Sequence, residues 1–106
     1  MDDQPTISTH VLDTQHGEPA SGVDVALYRM DTTAESRVGA GFTDADGRIR
    51  RLLEGELVAG TYRIDFHVDR RFFLDVSLTF VVDDPTRSYH VPLLLAPYSI
   101  ASYRGS

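Results

Sequence analysis

The chain has 106 residues, a length that suits a single domain. Its 16 acidic and 10 basic residues give a formal net charge of -6, which argues against a nucleic-acid partner, because such a partner requires a basic face opposite its phosphates. The chain contains no cysteine, so disulfides and thiolate metal sites are excluded.

The first eight residues read MDDQPTIS and lack both the basic start and the apolar stretch of a signal peptide. No apolar run approaches the length of about 20 residues that a membrane-spanning helix requires. We therefore expect a cytoplasmic protein without a membrane partner. A single domain is predicted over residues 1–106, with residues 1–6 flexible.

Short apolar-periodic runs alternate with turn signals at intervals of roughly ten residues, which is typical of a sandwich or barrel of short strands. Between them lie a loop at Gln15–Gly22 and a tight turn at Asp44–Gly47, where Asp-Gly tolerates positive φ. No segment has helical periodicity, so an all-β fold is predicted. The predicted strands, about eight in number, cover Ile7–Thr14, Val23–Arg29, Arg37–Thr43, Arg48–Leu53, Thr61–Val68, Phe73–Val82, Ser88–Leu95 and Ser99–Ser106. Pro92 interrupts the seventh run and has no N–H to donate, so that position is expected at an edge or a gap.

No metal motif is found, because no histidine pairs at short spacing with another ligand. A histidine in a strand is usually a surface residue or a satisfied core residue, yet imidazole is also a common general base near neutral pH. Strand positions are predicted for His10, His67 and His90, with His67 on a polar face, and a solvated loop position for His16.

Arginines at strand ends are usually solvated, and this interpretation applies first to Arg48, Arg50 and Arg51. The pair Tyr103-Arg104 near the end of the sequence is less usual, since both residue types are enriched at binding hot spots. The residues by themselves thus predict an all-β domain with a functional segment near residue 103.

Four strings together resemble the transthyretin-like family, and in particular its 5-hydroxyisourate hydrolases. They are THVLD (Thr9–Asp13), DGR (Asp46–Arg48), YHVPLLL (Tyr89–Leu95) and YRGS (Tyr103–Ser106). The resemblance runs from Ile7 to Ser106. It departs from the family pattern in LLLAP, which carries Ala96, and in Asp69–Phe73, where a family helix would be shortened or absent.

The resemblance implies a transthyretin-like β-sandwich of two four-stranded antiparallel sheets. It also implies a homotetramer, a dimer of dimers, with each active site in a channel at the dimer–dimer interface. The implied activity is hydrolysis of 5-hydroxyisourate to 2-oxo-4-hydroxy-4-carboxy-5-ureidoimidazoline in urate degradation. This small molecule would be the substrate, and no cofactor or metal is implied.

The resemblance also assigns site residues. The catalytic set is His10, Arg48, His90 and Ser106, and substrate contacts come from His10, Arg48 and Tyr103. Two alternatives stay open: a transthyretin-type carrier that binds a small ligand without turnover, and a monomeric interaction sandwich. The combination of His10, Arg48 and His90 favours the hydrolase, because a carrier does not need it.

Overall fold

The computed structural model describes residues 4–105. These residues form ten strands and no helix, and the strands make two packed sheets, so the all-β sandwich is confirmed. In chain order the strands are β1 Ile7–Asp13, β2 Glu18–Pro19, β3 Asp24–Met30, β4 Glu35–Phe42, β5 Arg48–Ile49, β6 Gly60–His67, β7 Asp75–Val82, β8 Tyr89–His90, β9 Leu93–Leu95 and β10 Ile100–Ser102.

One sheet has four antiparallel strands in the order β4-β3-β6-β7. In β3, β6 and β7 buried positions alternate with more exposed ones, the pattern of a strand with one buried face. In β6 the side chains of Tyr62, Ile64 and Phe66 are almost fully buried against the other sheet. The alternation predicted from the sequence is therefore the alternation found.

The other sheet has six strands and is mixed, so the prediction of two four-stranded antiparallel sheets is wrong for this sheet. Its path is β10-β9-β1-β2, and β5 and β8 also pair with β1. Strand β1 runs parallel to β8 and β9 and antiparallel to β2 and β5. Between β1 and its parallel partners β8 and β9, the chain passes through all four strands of the opposite sheet, and such a crossover permits parallel pairing.

Several predicted boundaries also change. The run Ser88–Leu95 divides into β8 and β9 around Pro92, which cannot donate to a ladder. The run Arg48–Leu53 leaves the sheet after Ile49, although Leu52 and Leu53 remain buried in the core. The two-residue strand β2 lies within the predicted loop, and Asp69–Phe73 forms no helix, as the sequence predicted.

Strand β1 connects the core to the site. Its side chains at Ile7, Thr9 and Val11 are buried between the sheets, and the Thr9 hydroxyl donates to the carbonyl of Val91 at 2.7 Å. Because strand side chains alternate, Ser8 and His10 lie on the opposite, outer face. The hydrophobic core thereby fixes the outward direction of both residues.

Within residues 4–105, no helix is long and apolar enough to cross a membrane.

Candidate active site

Strand register brings three of the predicted site residues together on the outer face of the β1 sheet. His10 of β1 lies opposite Arg48 of β5, and Ser8 lies opposite His90 of β8. Since Ser8 and His10 are two residues apart on one strand, they share a face. His10, Arg48 and His90 therefore form one cluster around β1, although they come from distant parts of the chain.

The turn before β5 holds Arg48 in place. One oxygen of Asp44, Oδ1, accepts the backbone N–H groups of both Asp46 and Arg48, each at 2.9 Å. The bond from Arg48 is the main reason that the pKa of Asp44 lies below its usual value. Gly47 has φ 76°, and a side chain there would also meet the carbonyl of Val11, so this turn requires glycine.

The hydrogen bond that His10 makes defines its tautomer. Its Nε2 lies 2.8 Å from the backbone carbonyl oxygen of Asp46. A carbonyl can only accept, so Nε2 carries the proton and donates it to Asp46. The neutral His10 ring consequently has its lone pair on Nδ1, which is the nitrogen that could accept a proton from water.

His90 makes its hydrogen bond through Nδ1, whereas His10 uses Nε2. Its Nδ1 lies 2.9 Å from the hydroxyl oxygen of Ser8. Burial lowers the pKa of His90 below the ordinary value of 6.5, and the nearby positive charge of Arg48 lowers it further. His90 is therefore neutral at pH 7, the state that a general base requires.

A shallow cavity of about 210 Å³ lies beside these residues, lined by Ser8, Thr9, Arg48, Arg50 and His90. The sequence predicted a solvated side chain for Arg50, whereas the structure places Arg50 with Arg48 in the lining of this cavity. Ser8 also lines it and was not predicted as a site residue. The signal was present in the spacing, because residues two apart in an extended chain share a face. Ser8 and Arg50 each stand two positions from a predicted site residue.

The segment after β10 packs against His90. The N–H of Gly105 donates to the carbonyl of His90 at 2.8 Å, and the two residues form an isolated antiparallel bridge. A Cβ at Gly105 would lie 2.5 Å from Cδ2 of the His90 ring, so this contact requires glycine. The Arg104 guanidinium lies 4.5 Å from the centre of the Tyr89 ring, a cation–π contact that fastens the segment.

Tyr103 lies apart from the histidines within one chain. Its side chain is 61% exposed and lines a different cavity of about 300 Å³, which includes Phe80, Val91 and Arg104. Ser106, also predicted as a catalytic residue, lies outside the described residues. The structure of one chain thus groups His10, Arg48 and His90 and leaves Tyr103 elsewhere.

The remaining two histidines are exposed, in agreement with the predicted loop position of His16 and polar strand face of His67, and each also pairs with a carboxylate. His16 Nδ1 lies 2.9 Å from Asp13, and His67 Nδ1 lies 2.7 Å from Asp75. Each of these carboxylates raises the pKa of its histidine. No cluster of three or more His, Cys, Asp or Glu side chains within residues 4–105 could hold a metal ion.

The fold and the outer-face cluster define the class of protein. Residues 7–105 match the HIUase/Transthyretin family, and the chain belongs to it. The 5-hydroxyisourate hydrolase of Deinococcus radiodurans is 42% identical over 119 aligned positions, which cover 100% of both chains.

Solved structures agree with this assignment. The structure of Klebsiella pneumoniae 5-hydroxyisourate hydrolase is 32% identical, with a TM-score of 0.84 and coverage of 97% of this chain and 100% of that one. (S)-Allantoin synthase is 34% identical with a TM-score of 0.86, and the alignment covers 99% of this chain. This chain spans only 45% of that longer protein.

Proposed function

We propose that this chain is an enzyme of urate degradation that hydrolyses 5-hydroxyisourate. The similarity to curated hydrolases of that name extends over the whole chain. The structural observation that carries the proposal is the pairing of His10 with Arg48 across β1 and β5, with His90 beside them on β8. These three side chains supply the groups that hydrolysis of a cyclic amide requires.

The reaction opens the six-membered ring of the substrate. The oxygen of water bonds to a ring carbonyl carbon, and the carbonyl oxygen becomes negatively charged. The carbon–nitrogen bond then breaks, and the leaving nitrogen takes a proton. The product is 2-oxo-4-hydroxy-4-carboxy-5-ureidoimidazoline, which bears a new carboxylate and a ureido group. Catalysis therefore requires a base for water, a cation for the oxyanion and a proton for the leaving nitrogen.

The two histidines share the proton transfers. His90 is kept neutral by burial and by the neighbouring positive charge of Arg48, so it can accept a proton from the attacking water. The lone pair of His10 lies on Nδ1, because Nε2–H is donated to the Asp46 carbonyl. A protonated imidazole formed in the first step then supplies the proton for the leaving nitrogen, and a base of this kind contributes about 10²–10⁴-fold to the rate.

Arg48 stabilises the negative charge that forms on the carbonyl oxygen. Its guanidinium is a planar set of donors that never loses its charge, and its backbone is held by the Asp44 turn. Arg50 lines the same cavity and adds a second cation for binding a planar, oxygen-rich ring. No cofactor enters this scheme.

The complete site is proposed to form in a homotetramer, a dimer of dimers, where Tyr103 and Ser106 approach a neighbouring chain. Among the described residues, β7 and β10 each lie at one end of a sheet, and such an edge strand can pair with a strand of another copy, which supports the proposal. Exposed apolar side chains lie along and beside these edges at Val81, Ile100 and Tyr103. We also propose a cytoplasmic location for this assembly.

The ultraviolet decay of freshly prepared 5-hydroxyisourate measures this activity directly. Replacement of His10, Arg48 or His90 by alanine is expected to lower the rate at least about 100-fold, or about 2.7 kcal/mol of transition-state stabilisation. The controls are His16→Ala and His67→Ala, which should retain the rate of the unmodified chain. Tight binding of the substrate without turnover would instead support the carrier alternative.

A further inference from the structure

The contact between Ser8 and His90 has a chemical consequence that the resemblance did not assign. Ser8 lies on the outer face of β1, directly opposite His90 of the parallel strand β8. Its hydroxyl oxygen lies 2.9 Å from Nδ1 of the imidazole, a good hydrogen-bond distance. Both residues line the cavity that contains Arg48. Ser8 thus touches the proposed base without belonging to the proposed catalytic set.

Three sides of the His90 ring are occupied. Nδ1 faces the Ser8 hydroxyl, and the site of a Cβ on Gly105 would lie 2.5 Å from Cδ2 on the other edge of the ring. The backbone lies on the third side, where Gly105 also bonds the His90 carbonyl. Nε2 and Cε1 form the remaining tip of the ring, so Nε2 is the nitrogen left for water or substrate.

The electrostatic surroundings select the protonation state of that nitrogen. Arg48 carries donors and no acceptor, so a neutral imidazole beside it is more stable with a lone pair on the open nitrogen than with an N–H there. A hydroxyl can accept as well as donate, so Ser8 can take the Nδ1 proton. Both effects favour the tautomer with the proton on Nδ1.

We infer that Ser8 is a positioning residue that accepts a hydrogen bond from Nδ1–H of His90 and so leaves Nε2 as the basic nitrogen of the site. The role in catalysis rests on the proposed function; the tautomer does not. His10 and His90 would then present opposite ring nitrogens as bases, Nδ1 on His10 and Nε2 on His90. The hydroxyl would act on the rate through His90 and would not contact the reacting atoms.

The tautomer can be measured without substrate. In the ¹⁵N-labelled full chain at a pH where His90 is neutral, the two ring nitrogens give separate signals for protonated and unprotonated positions. We expect the proton on Nδ1 in the unmodified protein. Ser8→Ala should move the signals toward a mixture of tautomers, and Ser8→Thr, which keeps the hydroxyl and suits a strand, should retain the original pattern. A proton on Nε2 in the unmodified protein would overturn the inference.

The rate provides the second measurement. Ser8→Ala is expected to lower kcat about 10-fold or more with a smaller change in KM, because an imidazole in the wrong tautomer loses its base function even when the geometry is kept. Ser8→Thr should restore most of the rate. An unchanged rate in Ser8→Ala with a changed tautomer would overturn the role in catalysis. Absence of hydrolysis in the unmodified chain would reject the proposed function, while the nitrogen signals would still decide the role of Ser8.

Discussion

The charge of Arg48 has an effect on His90 that can be separated from any contact with substrate. Burial is the largest cause of the lowered pKa of His90, and the positive charge of Arg48 is the second. In Arg48→Gln, we expect the pKa of His90 to rise toward 6.5, because a like charge that disfavours the imidazolium has been removed. A proton NMR titration of the His90 ring measures this shift in the absence of substrate.

The matched control is Arg29→Gln, which removes a guanidinium from β3 in the opposite sheet and should leave the His90 titration unchanged.

The direction of the His90 pKa shift also predicts how activity depends on pH. Because the folded pKa of His90 lies below 6.5, the base remains neutral down to a pH below that value. The acidic limb of kcat/KM should therefore move to higher pH in Arg48→Gln. An unshifted His90 titration would contradict this account.

Gly105 packs against the His90 ring at a distance that leaves no room for a side chain. In Gly105→Ala, the new methyl group would lie 2.5 Å from Cδ2 of His90 and 3.0 Å from Cβ and Cγ, so either the ring or the segment must move. A displacement of about 1 Å in a catalytic group can cost on the order of 100-fold in rate, so we expect a loss of about 10-fold to 100-fold. The ultraviolet assay measures it.

Gly41→Ala is a suitable comparison for this variant, because an added methyl there meets only ordinary contacts with the Ile49 side chain at 3.6 Å. It should keep the rate. The melting temperature of Gly105→Ala should change little, because residue 105 lies outside the core cluster. A fully active Gly105→Ala protein would show that the contact with His90 does not matter for the reaction.

The turn between β4 and β5 is the element that places Arg48. Asp44 accepts two backbone N–H groups there, and its folded pKa is lowered mainly by the bond from Arg48. A carboxyl with a lowered folded pKa stabilises the protein above its unfolded pKa, near 3.8, and this stabilisation is lost as the pH falls through the folded pKa.

Two substitutions of Asp44 separate its charge from its shape. Asp44→Asn keeps an acceptor oxygen without the charge, whereas Asp44→Ala removes both. At neutral pH we expect the urea midpoint of unfolding to be lower in Asp44→Asn than in the unmodified chain, and lower still in Asp44→Ala. Activity should be lost mainly in Asp44→Ala, because the backbone of Arg48 then lacks its hydrogen-bond acceptor. The difference between Asn and the unmodified chain should disappear at acid pH. A difference between Asp44→Asn and the unmodified chain that persists at a pH below the folded pKa of Asp44 would rule out a charge effect.

The elements also show which parts of the fold were visible in the sequence. The alternation of Tyr62, Ile64 and Phe66 predicted β6 within a residue at each end, because a half-buried strand leaves a period of two. The parallel partners of β1 left no such trace, since pairing between segments 82 residues apart has no local pattern. Pro92 did signal a missing donor, but the predicted strand continued across it.

The same distinction applies to the site. The motifs named His10, Arg48 and His90 individually, whereas their closeness depends on the registers of β5 and β8 with β1. Ser8 and Arg50 could have been added by their spacing of two from His10 and Arg48. The contact of Gly105 with His90 could not have been predicted from the sequence, because no local pattern indicates an isolated bridge.

At the scale of the whole molecule, the edge strands β7 and β10 are the proposed contacts between copies. Val81 on β7 is 64% exposed and Ile100 on β10 is 37% exposed, and both strands lie at sheet edges. We expect the unmodified protein to elute at about four times the 11.8 kDa mass of one chain. Val81→Lys should shift elution to smaller species, because a charge on an edge strand opposes pairing.

Thr32→Lys adds the same charge at an exposed position outside the strands, between β3 and β4, and should not change elution. Activity should fall with assembly in Val81→Lys if the site is shared between chains. A fully active monomer would contradict both the tetramer and the proposed roles of Tyr103 and Ser106.

The parallel pairing of β1 with β8 has a consequence for folding. The bond between Ser8 and His90 closes a loop of 82 residues, and Arg48 joins them from near the middle of the chain. Contacts of such high sequence separation form slowly, because the entropy of loop closure is lost before the contact is gained. We therefore expect the cluster of His10, Arg48 and His90 to be among the last parts of the molecule to assemble. In partly folded chains, including those still emerging during synthesis, these three residues would lie too far apart to act together.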